Sequence, residues 1–215
     1  MATVGGESPR AQGGPGFEDC DGALARNQAA RRRRVLDATL ALAAEGGFEA
    51  VQMRDVATAA NVALGTVYRY FSSKERLLLE ANVEQIEELG RRLRRRPPAG
   101  ATAADRVIDV LTRADAALQR RPEVTGAMVR ALGTARPEEA DEVRRITAAM
   151  TAIITGAMHE PMHEGQPSEH DLVVSRVLSQ VWFSALIGHV GGVDSADQVV
   201  ADLTAAARLL LHEET

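Results

Sequence analysis

Two stretches of this 215-residue chain bring together side chains able to do chemistry. The first is Gln52 to Lys74, QMRDVATAANVALGTVYRYFSSK. Thr66, Tyr68 and Tyr70 are hydroxyl donors spaced along one short segment, suited to phosphate oxygens, which position a protein on DNA without reading its sequence. Lys74 adds a cation where a following helix begins, and helix-start amides themselves attract phosphate. Arg54 has the fork geometry to bond guanine through O6 and N7. The second stretch, His159-Glu160-Pro161-Met162-His163, matches H-E-x-x-H. On a helix that spacing sets two imidazoles one turn apart to hold zinc beside a general base. His170 and Glu164 are the available third ligands, but Pro161 breaks the helical ladder between the two histidines. The zinc-hydrolase reading is therefore the alternative, and no metal or cofactor is expected.

The elements needed to position these groups are all helical. Val35, Thr39 and Leu42 share a face with Leu36, Leu40 and Ala43 beside it, and Gly46-Gly47 supplies a stop. Short helices at 52–59 and 64–70, with Asn61-Val62 as the turn, form a helix-turn-helix pattern. Val56, Ala57, Val62 and Val67 make the seam that locks the pair. Ala63, Leu64 and Gly65 keep the front of the second helix small, so that its backbone can approach a groove. Ser72-x-x-Glu75 reads as a capping box for a long helix ending before Pro97-Pro98. Thr102-x-x-Asp105, Ser168-x-x-Asp171 and Ser195-x-x-Gln198 open three more, and Pro122 and Pro137 fit first helical turns. The expected fold is all-α, with about nine helices. Its parts are a disordered arm at 1–24, a helix-turn-helix domain at 25–72, a connecting helix at 73–96 and a helical ligand-binding and dimerisation domain at 97–215.

Charge follows the same partition. The net of −5 divides into −3 over residues 1–24 (one Arg, four acids), +3 over 25–80 (nine Lys/Arg, six acids) and −5 over 81–215 (fifteen against twenty). A basic segment on an acidic body suits a small polyanion-binding unit, and the run Arg31 to Arg34 supplies diffuse attraction. A single cysteine, Cys20, provides neither a disulfide framework nor a cysteine zinc site. No apolar run of membrane-spanning length and no leader-like apolar segment are read here, so the expected location is the cytoplasm, without membrane partners. No Ser/His/Asp or Cys/His set and no phosphate-cradling glycine loop appears, which argues against an enzyme.

The segment ALAAEGGFEAVQMRDVATAANVALGTVYRYFSSKERLL resembles the DNA-binding domain of TetR-type bacterial transcriptional regulators, most specifically through G-T-x-Y-R-Y-F-x-S-K-E-x-L at 65–77. EAVQMR at 49–54, ALQRRPEVTGAMVRA at 117–131 and VSRVLSQVWFSALIGHV at 174–190 are similar to the branch that represses sterol and lipid catabolism genes in actinobacteria. The resemblance implies phosphate contacts from Thr66, Tyr68, Tyr70 and Lys74, and base contacts from Arg54, Leu64 and Gly65. It also implies a homodimer on double-stranded operator DNA, released by a small apolar effector.

Met128, Met150, Trp182 and Phe183 are the candidates to line an effector cavity, because Met adapts to varied apolar shapes; at helical spacing they also read as plain core. Arginines 91, 92 and 94–96 fit favourable placement at a helix C-terminus. The apolar faces of the last two helices, with Leu203 and Leu210 in the second, are expected to pack across a two-fold axis. A helical interaction module that does not bind DNA is the third reading.

Overall fold

A computed structural model describes the backbone of residues 17–160 and 166–212, with side chains from residue 25 onward. Among these residues there are nine α-helices, one 3-10 turn and no strand: α1 (Phe17–Ala50), α2 (Met53–Ala59), α3 (Leu64–Tyr70), α4 (Lys74–Arg95), α5 (Ala103–Gln119), α6 (Pro122–Gly133), the turn Pro137–Glu139, α7 (Ala140–Met158), α8 (Glu169–Val190) and α9 (Ala196–Leu210). α1 is broken at Gly46 and Gly47, the latter at φ 64°, a left-handed conformation that glycine adopts without steric cost. The start of α1 at Phe17 lies inside the stretch expected to be disordered; residues 1–16 of that stretch fall outside the described residues.

Local capping explains most other boundaries. The Thr102 and Ser168 hydroxyls accept from the amides of Asp105 and Asp171 at 3.1 Å each, and both carboxylates reach back to the cap amides. The Ser195 hydroxyl accepts from the Gln198 amide at 3.2 Å. The cap of α4 is Ser73 rather than Ser72, its hydroxyl accepting from the Arg76 amide at 3.0 Å. That one-residue shift puts Arg76, not a glutamate, at the reciprocal position, and the arginine instead binds Glu142 at 2.8 Å. Pro137 opens the 3-10 turn instead of an α-helix.

Two cores hold the helices. The first joins α1–α4 to α6 through Val35, Leu36, Val56, Val67, Phe71, Leu77–Leu79, Val124 and Met128. The second joins the far end of α4 to α5, α7, α8 and α9 through Leu93, Val107, Val110, Met150, Ile154, Leu178, Trp182 and Leu203. α4 runs from one core to the other.

α8 departs from the sequence expectation: by length and composition alone it is apolar enough to cross a membrane, and only a third of its apolar stretch is buried within the chain. Leu172, Val173, Ile187 and Val190 of α8 and Leu209 of α9 are exposed. Leu203, expected on the dimer face, is buried in the second core instead, because α9 turns its Val199–Leu203–Ala207 stripe inward; Leu210 is half-buried.

Candidate nucleic-acid interface

The interface is built on the α2–α3 pair. Val56, Ala57, Ala60 and Val67 are buried between the two helices and α1, which fixes their mutual angle. The turn is closed by the Asn61 amide donating to Thr58 O at 3.1 Å and the Val62 amide to Ala57 O at 3.0 Å. Asn61 takes φ 52°, a left-handed conformation that asparagine tolerates better than most residues. Arg34 Nε donates to Ala60 O at 3.4 Å, tying α1 to this turn.

α3 is seven residues long, and its cap, Ala63, gives no side-chain hydrogen bond. Its leading amides therefore lack the partner that a Ser or Asp cap would supply. Gly65 is exposed, and a Cβ there would meet nothing within 4 Å. The protein's own packing does not require glycine at that position; its missing side chain leaves backbone open to an approaching partner. Leu64 is half-buried against the first core, and Thr66 is half-buried. Tyr68 stands out as a large aromatic at 52% exposure. Arg54 is exposed in the first turn of α2. Arg54, Gly65 and Tyr68 thus form an accessible set.

Two members of the expected set sit differently. The Tyr70 hydroxyl is buried with no hydrogen-bond partner among the described residues, beneath Arg69, whose guanidinium lies 5.3 Å from the ring. A phosphate contact from Tyr70 requires its ring to turn outward. Lys74 is held inward, with Nζ 4.0 Å from the centre of the Phe48 ring, 3.7 Å from Glu49 and donating to Phe48 O at 3.4 Å. Arg130 of α6 takes a place 4.4 Å from the same ring and pairs with Glu49 at 2.8 Å. Lys74 therefore contributes to the junction of α1, α4 and α6 as well as to the local positive field.

The Arg31–Arg34 run is similarly divided. Arg31 is exposed. Arg32 pairs with Glu80, and with Glu84 at 2.7 Å, while Arg33 donates to Asp37 at 3.3 Å. Glu80, buried in α4, also binds Arg145 of α7. It holds the arginine's proton more firmly still, chiefly through their hydrogen bond. This node was missed in the sequence, although a lone acid inside the apolar run LLLEA is the signal of a buried ion pair.

Met128 belongs to the first core and Met150 and Trp182 to the second, while Phe183 is half-buried beside Trp182 in α8. The four expected cavity residues are therefore not brought together. Trp182 Nε1 is buried with no hydrogen-bond partner among the described residues.

The H-E-x-x-H stretch is not on a helix where it is described. α7 ends at Met158, and His159 is extended at φ −111°, ψ 153°. His159 Nε2 lies 3.2 Å from Asp171, and Glu160 pairs with Arg106 at 3.6 Å. Burial pushes the Asp171 carboxyl up, but hydrogen bonds from Ser168 and His159 outweigh it and hold it below the usual range. His163 and Glu164 lie outside the described residues. Among the described residues no three metal-ligating side chains converge; His159 and Glu160 pair with α8 and α5 just beyond the end of α7.

Comparison with known proteins agrees with this geometry. Residues 35–81 match the family described as bacterial regulatory proteins, tetR family, and residues 100–210 match the tetracyclin repressor-like C-terminal domain. The chain is 41% identical over 187 residues to the HTH-type transcriptional repressor KstR of Mycolicibacterium smegmatis, covering 87% of this chain and 90% of that protein. KstR of Mycobacterium tuberculosis is 39% identical over 187 residues, covering 87% and 83%. A TetR transcriptional regulator from Rhodococcus sp. RHA1 superposes with TM-score 0.79 at 34% identity, covering 88% of this chain and all of that one. The fold is shared also with Thermus thermophilus FadR in complex with lauroyl-CoA, at TM-score 0.66, 19% identity and coverage of 86% and 97%. The chain belongs to the TetR family of bacterial transcriptional regulators, in which it is similar to the KstR repressors.

Proposed function

We propose that this repressor binds a near-palindromic operator as a homodimer through α3 and leaves it when an apolar effector of sterol or lipid catabolism binds. The carrying observation is the uncovered surface of Arg54, Gly65 and Tyr68 on a rigid α2–α3 pair. One short helix buries too little surface for useful affinity, so two are needed about one helical turn of DNA apart. The exposed apolar residues of α8 and α9 supply the surface that a second copy covers. Arg54 reads a base edge, Thr66 and Tyr68 grip phosphates, and Leu64 and Gly65 let the backbone approach. Tyr70 and Lys74 join these contacts once displaced from their intramolecular partners.

The effector reading rests on the second core, where the Trp182 indole N–H lies buried and unsatisfied among apolar side chains. An effector carbonyl there would accept a hydrogen bond from that N–H while its apolar body displaced residues such as Met150. The KstR likeness and the acyl-CoA complex of T. thermophilus FadR support an acyl-CoA or sterol-derived compound. Release follows only if the ligand prefers a conformation whose recognition helices no longer match the groove spacing, and α4 is the element that transmits it.

Selection of bound duplexes from a random library, followed by titration with long-chain acyl-CoA and sterol-derived acyl-CoA, tests both halves. Enrichment of a two-fold symmetric site, with Trp182 quenching that parallels DNA release, is expected. Quenching without release would leave the effector site standing and overturn the switch.

A further inference from the structure

The bend in α1 lies against α6. Gly47 is buried there, and a Cβ on it would stand 3.3 Å from Glu123 Oε2. Two turns further along the same face of α6, Arg130 reaches Phe48 and Glu49, the residues that follow the bend. Lys74, the first residue of α4, reaches the same two residues. Two cations therefore share one aromatic ring and one carboxylate. The sharing is unequal. Arg130 Nη1 lies 2.8 Å from Glu49 Oε1, and Lys74 Nζ lies 3.7 Å from Oε2.

Lys74 depends on outside partners, because a cation in the first turn of a helix faces the positive end of the helix dipole. Within the chain those partners are the Phe48 ring and Glu49; on DNA, in the reading proposed above, the partner is a phosphate. The two sets compete for one ammonium group. Arg130 bears on that competition in two ways. It engages the carboxylate at the shorter distance and the same ring, which weakens the lysine's inward hold, and its own positive charge repels the ammonium. Without Arg130, Glu49 and Phe48 would be left to Lys74 alone.

From this arrangement we infer that Arg130 is a positioning residue for DNA binding: by engaging Glu49 and Phe48 it keeps Lys74 free to leave them for a phosphate. The inference rests on the phosphate contact proposed for Lys74, and the variants below test the two separately. Affinities are measured by anisotropy on the selected duplex and on a scrambled one, with melting curves to confirm folding. Lys74→Ala should lose affinity on both duplexes; full affinity there would remove the phosphate contact and this inference with it. Arg130→Gln, at a position 53% exposed, should weaken binding to both duplexes about two- to fivefold, the scale of an exposed ion pair. Arg130→Lys, which keeps the charge, should retain most of the affinity. Glu49→Gln should bind at least as tightly as the wild type, and combined with Arg130→Gln it should recover most of the loss. In the Lys74→Ala background neither Arg130→Gln nor Glu49→Gln should change affinity. An equal loss from Arg130→Gln with and without Lys74 would assign the effect to net charge or local structure and overturn the inference. Unchanged affinity of Arg130→Gln, in a chain where Lys74→Ala loses affinity, would overturn it too.

Discussion

At Gly65, stability and function pull in opposite directions. With open space where its Cβ would stand, Gly65→Ala should raise helix stability by up to about 1 kcal/mol while adding a methyl group to the surface that approaches the groove. The expected outcome is a higher melting temperature with weaker operator binding; stronger binding would remove Gly65 from the interface. Arg54 and Lys74 separate readout from positioning. Arg54→Ala should cost about 1–3 kcal/mol on the selected site and relax preference at one base pair. Lys74→Ala should weaken binding to all sequences alike and lower the salt dependence. Because Lys74 also holds Phe48 and Glu49, it should lose some thermal stability too, which Arg54→Ala, at an exposed position, should not.

Among the elements, α4 is the link between the two cores, and Glu80 is its fastening to α1 and α7. Breaking a fully buried pair costs about 3–5 kcal/mol. Here the arginine partners are 35% and 47% exposed, so Glu80→Gln should cost less, about 1–3 kcal/mol by urea unfolding. The α8 cap makes a pH prediction. Asp171 has a folded-state pKa below its ordinary 3.8, so its contribution is fully present above about that pH and is lost as pH falls through the lower folded value. Melting temperatures followed from pH 5 down to 2.5 should fall more steeply for the wild type than for Asp171→Asn. Much of this level is legible in sequence because caps are local: Gly46-Gly47, Thr102, Ser168 and Pro97-Pro98 each act within a turn of their own position. What escaped are pairings between distant positions. Nothing near Glu80 announces Arg145, and nothing near Lys74 announces that it shares the Phe48 ring with Arg130. Ser72-x-x-Glu75 matches the capping box in sequence, but the cap is Ser73, whose hydroxyl also donates to Glu139 from a distant turn.

For the whole molecule, periodicity identified α8 and α9 as apolar but could not say which stripe faces inward, because both faces of α8 are apolar and only packing against α7 and α9 chooses between them. The corrected surface alters the dimer experiment. Ile187→Glu with Leu209→Glu changes exposed positions and should yield folded monomers by sedimentation with much weaker operator binding. Leu203→Glu instead places a charge in the second core, where even truncating a leucine costs about 2–5 kcal/mol, and should unfold the chain. The central claim, that a dimer reads DNA through two α3 helices, is tested most directly by anisotropy titration of the selected duplex against a scrambled duplex of equal composition at physiological salt. A preference of about a thousandfold or more, saturating at an even number of chains per site, is the result expected here; equal affinity for the two duplexes would contradict it.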